Sequence, residues 1–307
     1  MRHLAAHPPG GFETAGVWGP GELAPFFDGL PFWTVETERD ASVDVVHAHG
    51  MTAAMRALRR RRRPLVVTVH TDIRTQGRLG RWPLLRPAAR RLVDRADAVI
   101  AVSDRVARSL ARAEVIQPAF DRLPPPTTSR ADVRRSLATP DDRVVVVTAA
   151  RLHRDKALDI FVRAVAAAGA DGWICGDGPD RTHVASCAAG TAVRLLGHRD
   201  DLSDVYAAAD VFALPSAGEA YGIAVVEAIQ AGLPVVVTDA GAMREIAGDA
   251  GVVVGAGEEA AFRDAVRDLV TNQVRRAELA ERARRATFPD PRDLVAAVGD
   301  VYRSVCG

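Results

Sequence analysis

Four charged residues carry the pattern with the most chemical content in this sequence. Arg151 and Lys156 follow a short run of valines, and Glu219 and Glu227 follow the apolar run Val211–Leu214. An arginine can bind a phosphate through two parallel N–H groups, and a lysine adds a compact positive charge. Two carboxylates would repel a phosphate unless they accept hydrogen bonds from hydroxyl groups. The four residues therefore favour a ligand that carries a diphosphate, with a sugar at one end and a ribose at the other.

Lys156 is also distinguished by composition, because it is the one lysine among 40 basic residues. A chain with so strong a bias toward arginine is expected to use lysine where a compact ammonium is needed. The alternative interpretation is ordinary. Arg151 and Lys156 would then be solvated loop cations, and Glu219 and Glu227 would be helix carboxylates that complement the helix dipole or face solvent.

A helix predicted over Gly222–Ala231 adds a second feature to this region. Gly232 and Pro234 follow it and form an ordinary helix stop. The amides of Gly222, Ile223 and Ala224 open the helix, and such amides together with the helix dipole bind anions. The segment follows the carboxyl end of a predicted strand, which is where open α/β sheets bind ligands.

The elements that must position these residues alternate between apolar runs and helical patterns. Most of the apolar runs are continuous rather than alternating, as in strands buried on both faces of a parallel sheet. The alternation favours an α/β, doubly wound architecture. Helices are predicted at Ala157–Ala168 and Asp201–Ala209 besides the one above. The predicted strands are Val43–His47, Leu65–Val69, Ala98–Val102, Val144–Thr148, Trp173–Cys175, Ala192–Leu196, Val211–Leu214, Pro234–Thr238 and Gly251–Val254.

Two domains are expected from a length of 307 residues. A proline-rich stretch over residues 117–128 predicts the linker, so the domains are placed at 1–120 and 121–290. Residues 291–307 contain a helical apolar stripe that is expected to pack back toward the first domain. Two such domains leave a cleft, the usual place for a ligand.

Composition excludes several classes of protein. Apolar residues make up 48% and charged residues 26%, which are globular values, and the net charge is +1. The three cysteines form no CxxC pair, so no disulfide framework or zinc knuckle is indicated. The sequence has no apolar run of about 18 residues and no apolar signal core near its start. These features predict a cytoplasmic protein.

The ordered motifs of the second half resemble the retaining glycosyltransferase family 4. That family has the GT-B fold, with two facing Rossmann-like domains, and the resemblance covers about residues 40–305. The first half carries similar segments at Val43–His49, Val66–His70 and Ala96–Ser103. In the second half the motifs are Arg151 to Lys156, Cys175–Pro179 (CGDGP), Leu196–Asp201 (LGHRDD) and Glu219 with Glu227.

The resemblance implies metal-independent transfer of a hexosyl group from a UDP- or GDP-sugar to a hydroxyl-bearing acceptor. It implies no cofactor, and the acceptor (a small molecule, a glycan or a lipid) stays open. In the family's usual mechanism the leaving phosphate takes the acceptor's proton, so no catalytic base is assigned. The residues implied in catalysis are His70, Arg151, Lys156 and Glu219.

Donor-binding roles follow from the same resemblance. Arg151 and Lys156 match the diphosphate clamp, Glu219 the acid that orients donor-sugar hydroxyls, and Glu227 the acid that holds the ribose. His70 matches a histidine near the donor sugar. The remaining implied donor-binding residues are Gly10 and Gly11 in a glycine loop, Gly197, His198 and Arg199 at the base pocket, and Tyr221, Gly222, Ile223 and Ala224 around the helix start.

The sequence departs from the family pattern at four points. Ala150 and Ala157 replace common glycines, and Gln117–Asp121 replaces a family-like turn; these changes leave the charged groups in place. The larger departure is Phe12–Ser42, where Pro20, Pro25 and Pro31 interrupt any long helix. The first sheet is therefore expected to be reduced, by an incomplete gene start or in a natural short transferase.

Three weaker signals have competing interpretations. His47, His49 and His70 resemble a zinc set, but strand positions pointing into a polar cleft explain them better, and no metal is expected. The CGDG segment lacks the third glycine of a dinucleotide fingerprint. The run Arg59–Arg63 is either a solvated helix end or a patch for anionic lipid, which predicts peripheral membrane contact. Nucleic acid is not expected, because no aromatic residues interleave with the basic ones.

The leading hypothesis is therefore a retaining transferase. The first alternative is a non-catalytic nucleotide-sugar-binding partner with an incomplete acceptor domain. The second is an enzyme of the same fold with another reaction, such as a glycoside phosphorylase that needs phosphate. A nicotinamide oxidoreductase is a more distant third.

Overall fold

The structure is a computed structural model that describes residues 2–14, 17–19, 32–34, 43–59, 63–70, 90–91, 93–219 and 221–307. It divides into two compact units. The first unit contains Met1–Asp121 and Pro289–Gly307, and the second contains Arg122–Phe288. Each is an α/β unit with its own parallel sheet.

The first unit is built on a four-stranded parallel sheet whose strands are neighbours in chain order. These strands are β3 (Val46–His49), β4 (Leu65–Val69), β5 (Ala98–Ala101) and β6 (Glu114–Val115). A separate parallel pair is formed by β1 (Val17–Gly19) and β2 (Phe32–Thr34). The helices described here are α1 (Arg2–Ala6), α2 (Met51–Arg59) and α3 (Asp104–Ala107).

The last helix of the chain, α12 (Pro291–Cys306), also belongs to the first unit. It begins after Asp290, whose side chain accepts a hydrogen bond from the amide of Arg292 at 2.7 Å. Its apolar stripe places Val298 and Val301 against Val66, Ile100 and Ile116 of the sheet layer. The helix therefore completes the core of the first unit, although about 170 residues separate it from β6 along the chain.

The second unit contains a six-stranded parallel sheet with the order β9-β8-β7-β10-β11-β12. The chain starts in the middle at β7, moves outward to β9, then returns to the other side of β7. The strands are β7 (Val145–Ala149), β8 (Asp171–Cys175), β9 (Val193–Gly197), β10 (Val211–Leu214), β11 (Val235–Thr238) and β12 (Gly251–Val254). Every residue of β7, β8, β10 and β11 is buried, which explains why these strands are mostly apolar. Asp171 at the start of β8 is the charged exception, and it pairs with Arg143 at 3.3 Å.

Helices cover this sheet between the strands. The helices are α4 (Arg130–Ser136), α5 (Leu158–Ala168), α6 (Arg181–Ala188), α7 (Leu202–Ala208), α8 (Ile223–Gln230), α9 (Met243–Ala247), α10 (Glu259–Thr271) and α11 (Gln273–Arg285).

Most predicted strands agree with the structure to within two residues at each end. The exception is β3, which runs over Val46–His49 rather than Val43–His47, because its pairing with β4 starts at Val46 opposite Leu65. The prediction missed β1, β2, β6 and several helices, α4 among them. Pro20, Pro25 and Pro31 lie outside the described residues.

A fully buried arginine fixes the amino ends of β7 and β10. Arg134 of α4 donates from Nη2 to Asp210 Oδ2 at 2.7 Å. Asp210 Oδ2 also accepts from the amide of Val145 at 2.8 Å, and the Asp210 amide donates to the Val145 carbonyl at 3.0 Å. The other guanidinium N–H groups donate to the carbonyls of Pro140, Asp141, Arg143 and Ala208 at 2.9–3.2 Å. These contacts therefore hold the amino ends of β7 and β10 next to each other, and the charged loops follow these two strands.

Replacement of this arginine tests the anchor. Arg134→Met is expected to lower the free energy of unfolding by about 3–5 kcal/mol, because it leaves several buried carbonyls without their donor. Asp210 keeps a second partner in this variant, since Arg130 also pairs with it at 2.6 Å. Urea unfolding followed by circular dichroism measures the change. The exposed neighbour Arg135, which pairs with Asp132 on the surface, is the control, and Arg135→Ala should cost less than about 1 kcal/mol. Equally small losses of unfolding free energy in both variants would show that Arg134 does not hold β7 and β10 together.

Candidate functional site

A pocket of about 370 Å³ lies in the second unit at the carboxyl ends of the strands. Its position is the topological switch point of the sheet, where the chain has moved outward from β7 through β8 and β9 and returns to β10 on the other side of β7. The volume is in the range of small-molecule sites. The lining residues are Ala149, Ala150 and Arg151 after β7, Cys175, Gly176 and Asp177 after β8, His198, Arg199 and Leu202 after β9, and Ile223, Ala224 and Glu227 of α8.

The loop that carries Arg151 is fastened to the loop after β8. The amide of Ala150 donates to the Cys175 carbonyl at 3.0 Å, and the amide of Leu152 donates to the Asp177 carbonyl at 2.9 Å. Gly176 has φ of +123°, and a Cβ at this position would overlap the carbonyl oxygen of Ala150. The glycines of the CGDG segment thus permit this close approach, and Arg151 projects from a braced loop.

Lys156 and Glu219 form an ion pair that joins the loops after β7 and β10. Lys156 ends a short 3-10 turn, and its Nζ donates to Glu219 Oε2 at 2.5 Å. The side chains are only 17% and 13% exposed. The carbonyl of Asp155 accepts from the amide of Ala217 at 2.8 Å beside them. An ammonium has three N–H donors, so Lys156 can hold Glu219 and still donate to an anion.

The first turn of α8 faces the same pocket. Gly222 precedes the helix with φ of +100°, and a Cβ there would lie 2.7 Å from Met243 Sδ. Ile223 and Ala224 line the pocket, and Ile223 is 47% exposed although it is a large apolar residue. The first amides of a helix have no helical carbonyl to bond, so they present donors to an anion. Tyr221 is buried just before them, and burial raises its pKa to about 12.

Glu227 lies one turn further along α8, next to a buried tyrosine. Tyr206 Oη donates to Glu227 Oε2 at 3.4 Å. Burial raises the pKa of Glu227, and the hydrogen bond from Tyr206 partly offsets that rise. Burial also raises the pKa of Tyr206, so its phenol keeps the proton that it donates. The carboxyl group of Glu227 therefore needs a higher pH for ionisation than an exposed glutamate does.

The residues after β9 form the remaining wall. The carbonyl of Gly197 accepts from the amide of Gly176 at 2.6 Å, so this loop is tied to the loop after β8. Arg199 makes a two-pronged pair with Asp201, at 2.7 and 2.5 Å, which orients its guanidinium group. His198 is exposed beside Asp200.

The predicted site residues of the first unit are His70, Gly10 and Gly11. His70 follows β4, and its Nε2 lies 3.1 Å from His49 Nδ1. Burial lowers the pKa of His70 and of His49, which keeps both rings neutral. Gly10 and Gly11 form a turn closed by the hydrogen bond from the Phe12 amide to the Pro9 carbonyl at 3.0 Å.

The structure thus sorts the predicted site residues into two groups, one in each unit. Arg151, His198, Arg199, Ile223, Ala224 and Glu227 line the second-unit pocket, with Lys156, Gly197, Glu219, Tyr221 and Gly222 in the adjoining loops. Within the described part of the chain, no group of three His, Cys, Asp or Glu residues is arranged to hold a metal ion.

Both units of the chain match known protein families. Residues 143–272 match the family described as Glycosyl transferases group 1, and residues 6–122 match Glycosyltransferase Family 4. A D-inositol 3-phosphate glycosyltransferase of Salinispora tropica is 31% identical in an alignment 331 positions long, which covers 93% of this chain and 68% of that protein. The chain belongs to glycosyltransferase family 4. A second relative of the same name, from Xylanimonas cellulosilytica, is 30% identical. Its alignment covers 98% of this chain and 80% of the relative.

Solved structures confirm the GT-B fold of this family 4 glycosyltransferase. HepE of Anabaena, solved in complex with UDP, has a TM-score of 0.75 at 21% identity, and the alignment covers 92% of this chain and 88% of HepE. Sucrose-phosphate synthase of Thermosynechococcus elongatus has a TM-score of 0.71 at 20% identity. That alignment covers 86% of this chain and 74% of the synthase.

Sequence reasoning missed several partners that shape the site of this glycosyltransferase. Tyr206, the partner of Glu227, stands in a helix whose alanine-rich sequence gives no sign of a binding role. Asp177 and Cys175 were noted only as part of a motif, yet both line the pocket. The hydrogen bond of His49 to His70 had a visible signal, since both residues lie at the ends of neighbouring predicted strands.

The Arg59–Arg63 patch is described only in part. Arg59 ends α2, Arg63 is exposed, and Arg60, Arg61 and Arg62 lie outside the described residues. Contact of this patch with an anionic membrane stays a prediction. Across the described ranges, the helices are too short or too polar to cross a bilayer.

The pKa of Glu227 gives a direct test of its contact with Tyr206. Tyr206→Phe removes the hydrogen bond that favours the ionised carboxylate, so the pKa of Glu227 should rise above its wild-type value. A pH titration of the side-chain carboxyl ¹³C signal measures it. Tyr302→Phe, which removes a phenol from the first unit, is the control and should leave this titration unchanged. An unchanged pKa in Tyr206→Phe would show that the hydroxyl does not act on Glu227.

Proposed function

We propose that this glycosyltransferase is a retaining, metal-independent enzyme that transfers a hexosyl group from a nucleoside-diphosphate sugar to a hydroxyl-bearing acceptor. One observation carries the proposal. The loops after β7 and β10 bring Arg151, the Lys156–Glu219 pair and the start of α8 to one edge of a single sheet. That edge offers two fixed cations and helix amides, with carboxylates on either side.

The cations and amides are suited to the diphosphate of the donor. Departure of a nucleoside diphosphate builds negative charge on its oxygens. Arg151, Lys156 and the amides of Ile223 and Ala224 would stabilise that charge more strongly in the transition state than in the ground state. Fixed cations of this kind supply the charge stabilisation that a metal ion supplies in other transferases.

The nucleoside would occupy the pocket beside α8. Glu227 is placed to accept hydrogen bonds from ribose hydroxyl groups, and the apolar side chain of Ile223 and the loop of Gly197, His198 and Arg199 offer walls for the base. The HepE complexes contain UDP and UDP-glucose, which supports a uridine donor, with guanosine as the alternative. Glu219 would orient hydroxyl groups of the transferred hexose. The role of His70 near the donor sugar, which the family resemblance implies, is part of the same proposal.

The names of the relatives and the charge of residues 1–120 point to an anionic acceptor. The two curated relatives are named D-inositol 3-phosphate glycosyltransferases, so a phosphorylated cyclitol is the first acceptor to test. Residues 1–120 carry 18 arginines against 12 acidic residues, a net charge of +6, which suits an anionic acceptor. The acceptor hydroxyl would lose its proton to the leaving phosphate.

Donor turnover tests the proposal. The protein is incubated with UDP- or GDP-hexose, with and without inositol phosphate, and the first sugar product is examined by ¹H NMR. An α-linked donor should give an α-configured product. Lys156→Ala should lower kcat by about 100-fold or more, as for other groups that stabilise transition-state charge. Arg154→Ala is the matched control, because Arg154 is an exposed cation in the same 3-10 turn and should keep near wild-type turnover.

Other results would favour the alternatives. Donor binding without any consumption by folded protein would support the non-catalytic partner. Release of sugar phosphate that depends on added phosphate would support a phosphorylase. A β-configured product from an α-linked donor would exclude retention. The relatives' names favour the enzyme over the binding partner.

A further inference from the structure

The first unit contains a chain of contacts that leads from the last helix to His70. Tyr302 of α12 places its hydroxyl 2.7 Å from Nδ1 of His47. The other ring nitrogen of His47, Nε2, lies 2.7 Å from Thr68 Oγ1. Both nitrogens of this half-buried imidazole are therefore held, one by α12 and one by β4.

The ring of His47 in turn supports His49. The two residues alternate along β3, so their side chains share one face. Their rings stack with centroids 4.3 Å apart and an interplanar angle of 28°. His49 also stacks on His70, with centroids 5.4 Å apart at 27°, and its Nδ1 makes the 3.1 Å contact with His70 Nε2. Three rings are thus packed in series, ending at His70.

Proton placement links these contacts. A neutral imidazole has one N–H donor and one acceptor nitrogen, so each ring nitrogen that is bonded constrains the tautomer of its ring. Burial lowers the pKa of His47 to about 3 and keeps it neutral. Burial also raises the pKa of Tyr302 to about 12, so the phenol retains the proton that it needs for this hydrogen bond.

Tyr302 itself is held in place by the segment that carries Gly10 and Gly11. The ring of Phe12 meets the Tyr302 ring edge to face, with centroids 5.2 Å apart. Gly299, one turn before Tyr302, faces Pro9 so closely that a Cβ would lie 2.7 Å from the proline Cβ. The helix therefore touches both parts of the first unit that contain predicted site residues.

We propose that Tyr302 is a positioning residue for His70, acting through the rings of His47 and His49. Its hydroxyl fixes the orientation and tautomer of His47, the stacked His49 follows, and His49 holds His70. The consequence for catalysis rests on the role given to His70 under the proposed function; the coupling of the rings does not.

Imidazole NMR tests the coupling without any substrate. In ¹⁵N-histidine-labelled protein at pH 7.5, Tyr302→Phe should shift the ring-nitrogen signals of His47, His49 and His70. Ser304→Ala is the matched control, because Ser304 lies in the same helix and its hydroxyl donates to the Val301 carbonyl; it should leave all three unchanged. Thr68→Val, which removes the other partner of His47, should shift the same signals. His70 signals that stay at their wild-type positions in both Tyr302→Phe and Thr68→Val would overturn the proposal.

Kinetics then test the consequence. Tyr302→Phe should lower kcat by about 10-fold or more, since a misplaced group costs rate steeply. The dissociation constant for the nucleoside diphosphate should stay within about twofold, because Tyr302 belongs to the first unit and the pocket to the second. Weaker binding of the nucleoside diphosphate by Tyr302→Phe, with kcat unchanged, would overturn a positioning role for Tyr302. Wild-type turnover in His70→Ala, with the ring signals still coupled, would instead refute the role of His70 in the proposed function.

Discussion

The second unit depends on the adjacency of β7 and β10. Hydrogen bonds between Asp210 and the backbone of Val145, completed by the buried Arg134, hold the two strands together at their amino ends. Parallel strands that start together present their following loops side by side at the opposite edge. That constraint brings the loop of Arg151 and Lys156 next to the loop of Glu219, although more than sixty residues separate them. The Arg134–Asp210 contacts therefore lie at the amino ends of β7 and β10, and the pocket lies at the carboxyl ends of the same strands.

Short backbone hydrogen bonds tie the loops of the site to one another. The loop after β7 is hydrogen-bonded to the loop after β8, which is bonded in turn to Gly197 at the end of β9. The Lys156–Glu219 ion pair then ties the loop after β7 to the loop after β10. Electrostatic stabilisation of a leaving group is strongest when the stabilising dipoles and charges are already in place. This arrangement meets that requirement with four neighbouring loops.

Much of the second unit follows from its sequence, for identifiable reasons. Runs such as those of β7 and β11 are mostly valine because the strands are buried on both faces, and Gly222 marks the start of α8 because its φ is positive. The sequence could not predict which distant side chains pair with each other. The contact of Lys156 with Glu219 depends on strand order, and that of Tyr206 with Glu227 depends on how α7 packs. The short, polar helix α4 was missed because its decisive residue, Arg134, is a buried charge in a sequence that reads as surface.

Nucleotide titration tests the central claim that the strand-end pocket of the second unit binds a nucleoside diphosphate. Calorimetry with UDP and GDP should show binding of one of them to the wild type. Arg151→Ala and Glu227→Ala should each weaken it by about 10-fold or more, as expected for lost hydrogen bonds to charged groups. With the matching nucleoside monophosphate, the effect of Arg151→Ala should shrink, because one phosphate is missing. Equal affinity in the wild type and both variants would contradict the assignment of this pocket.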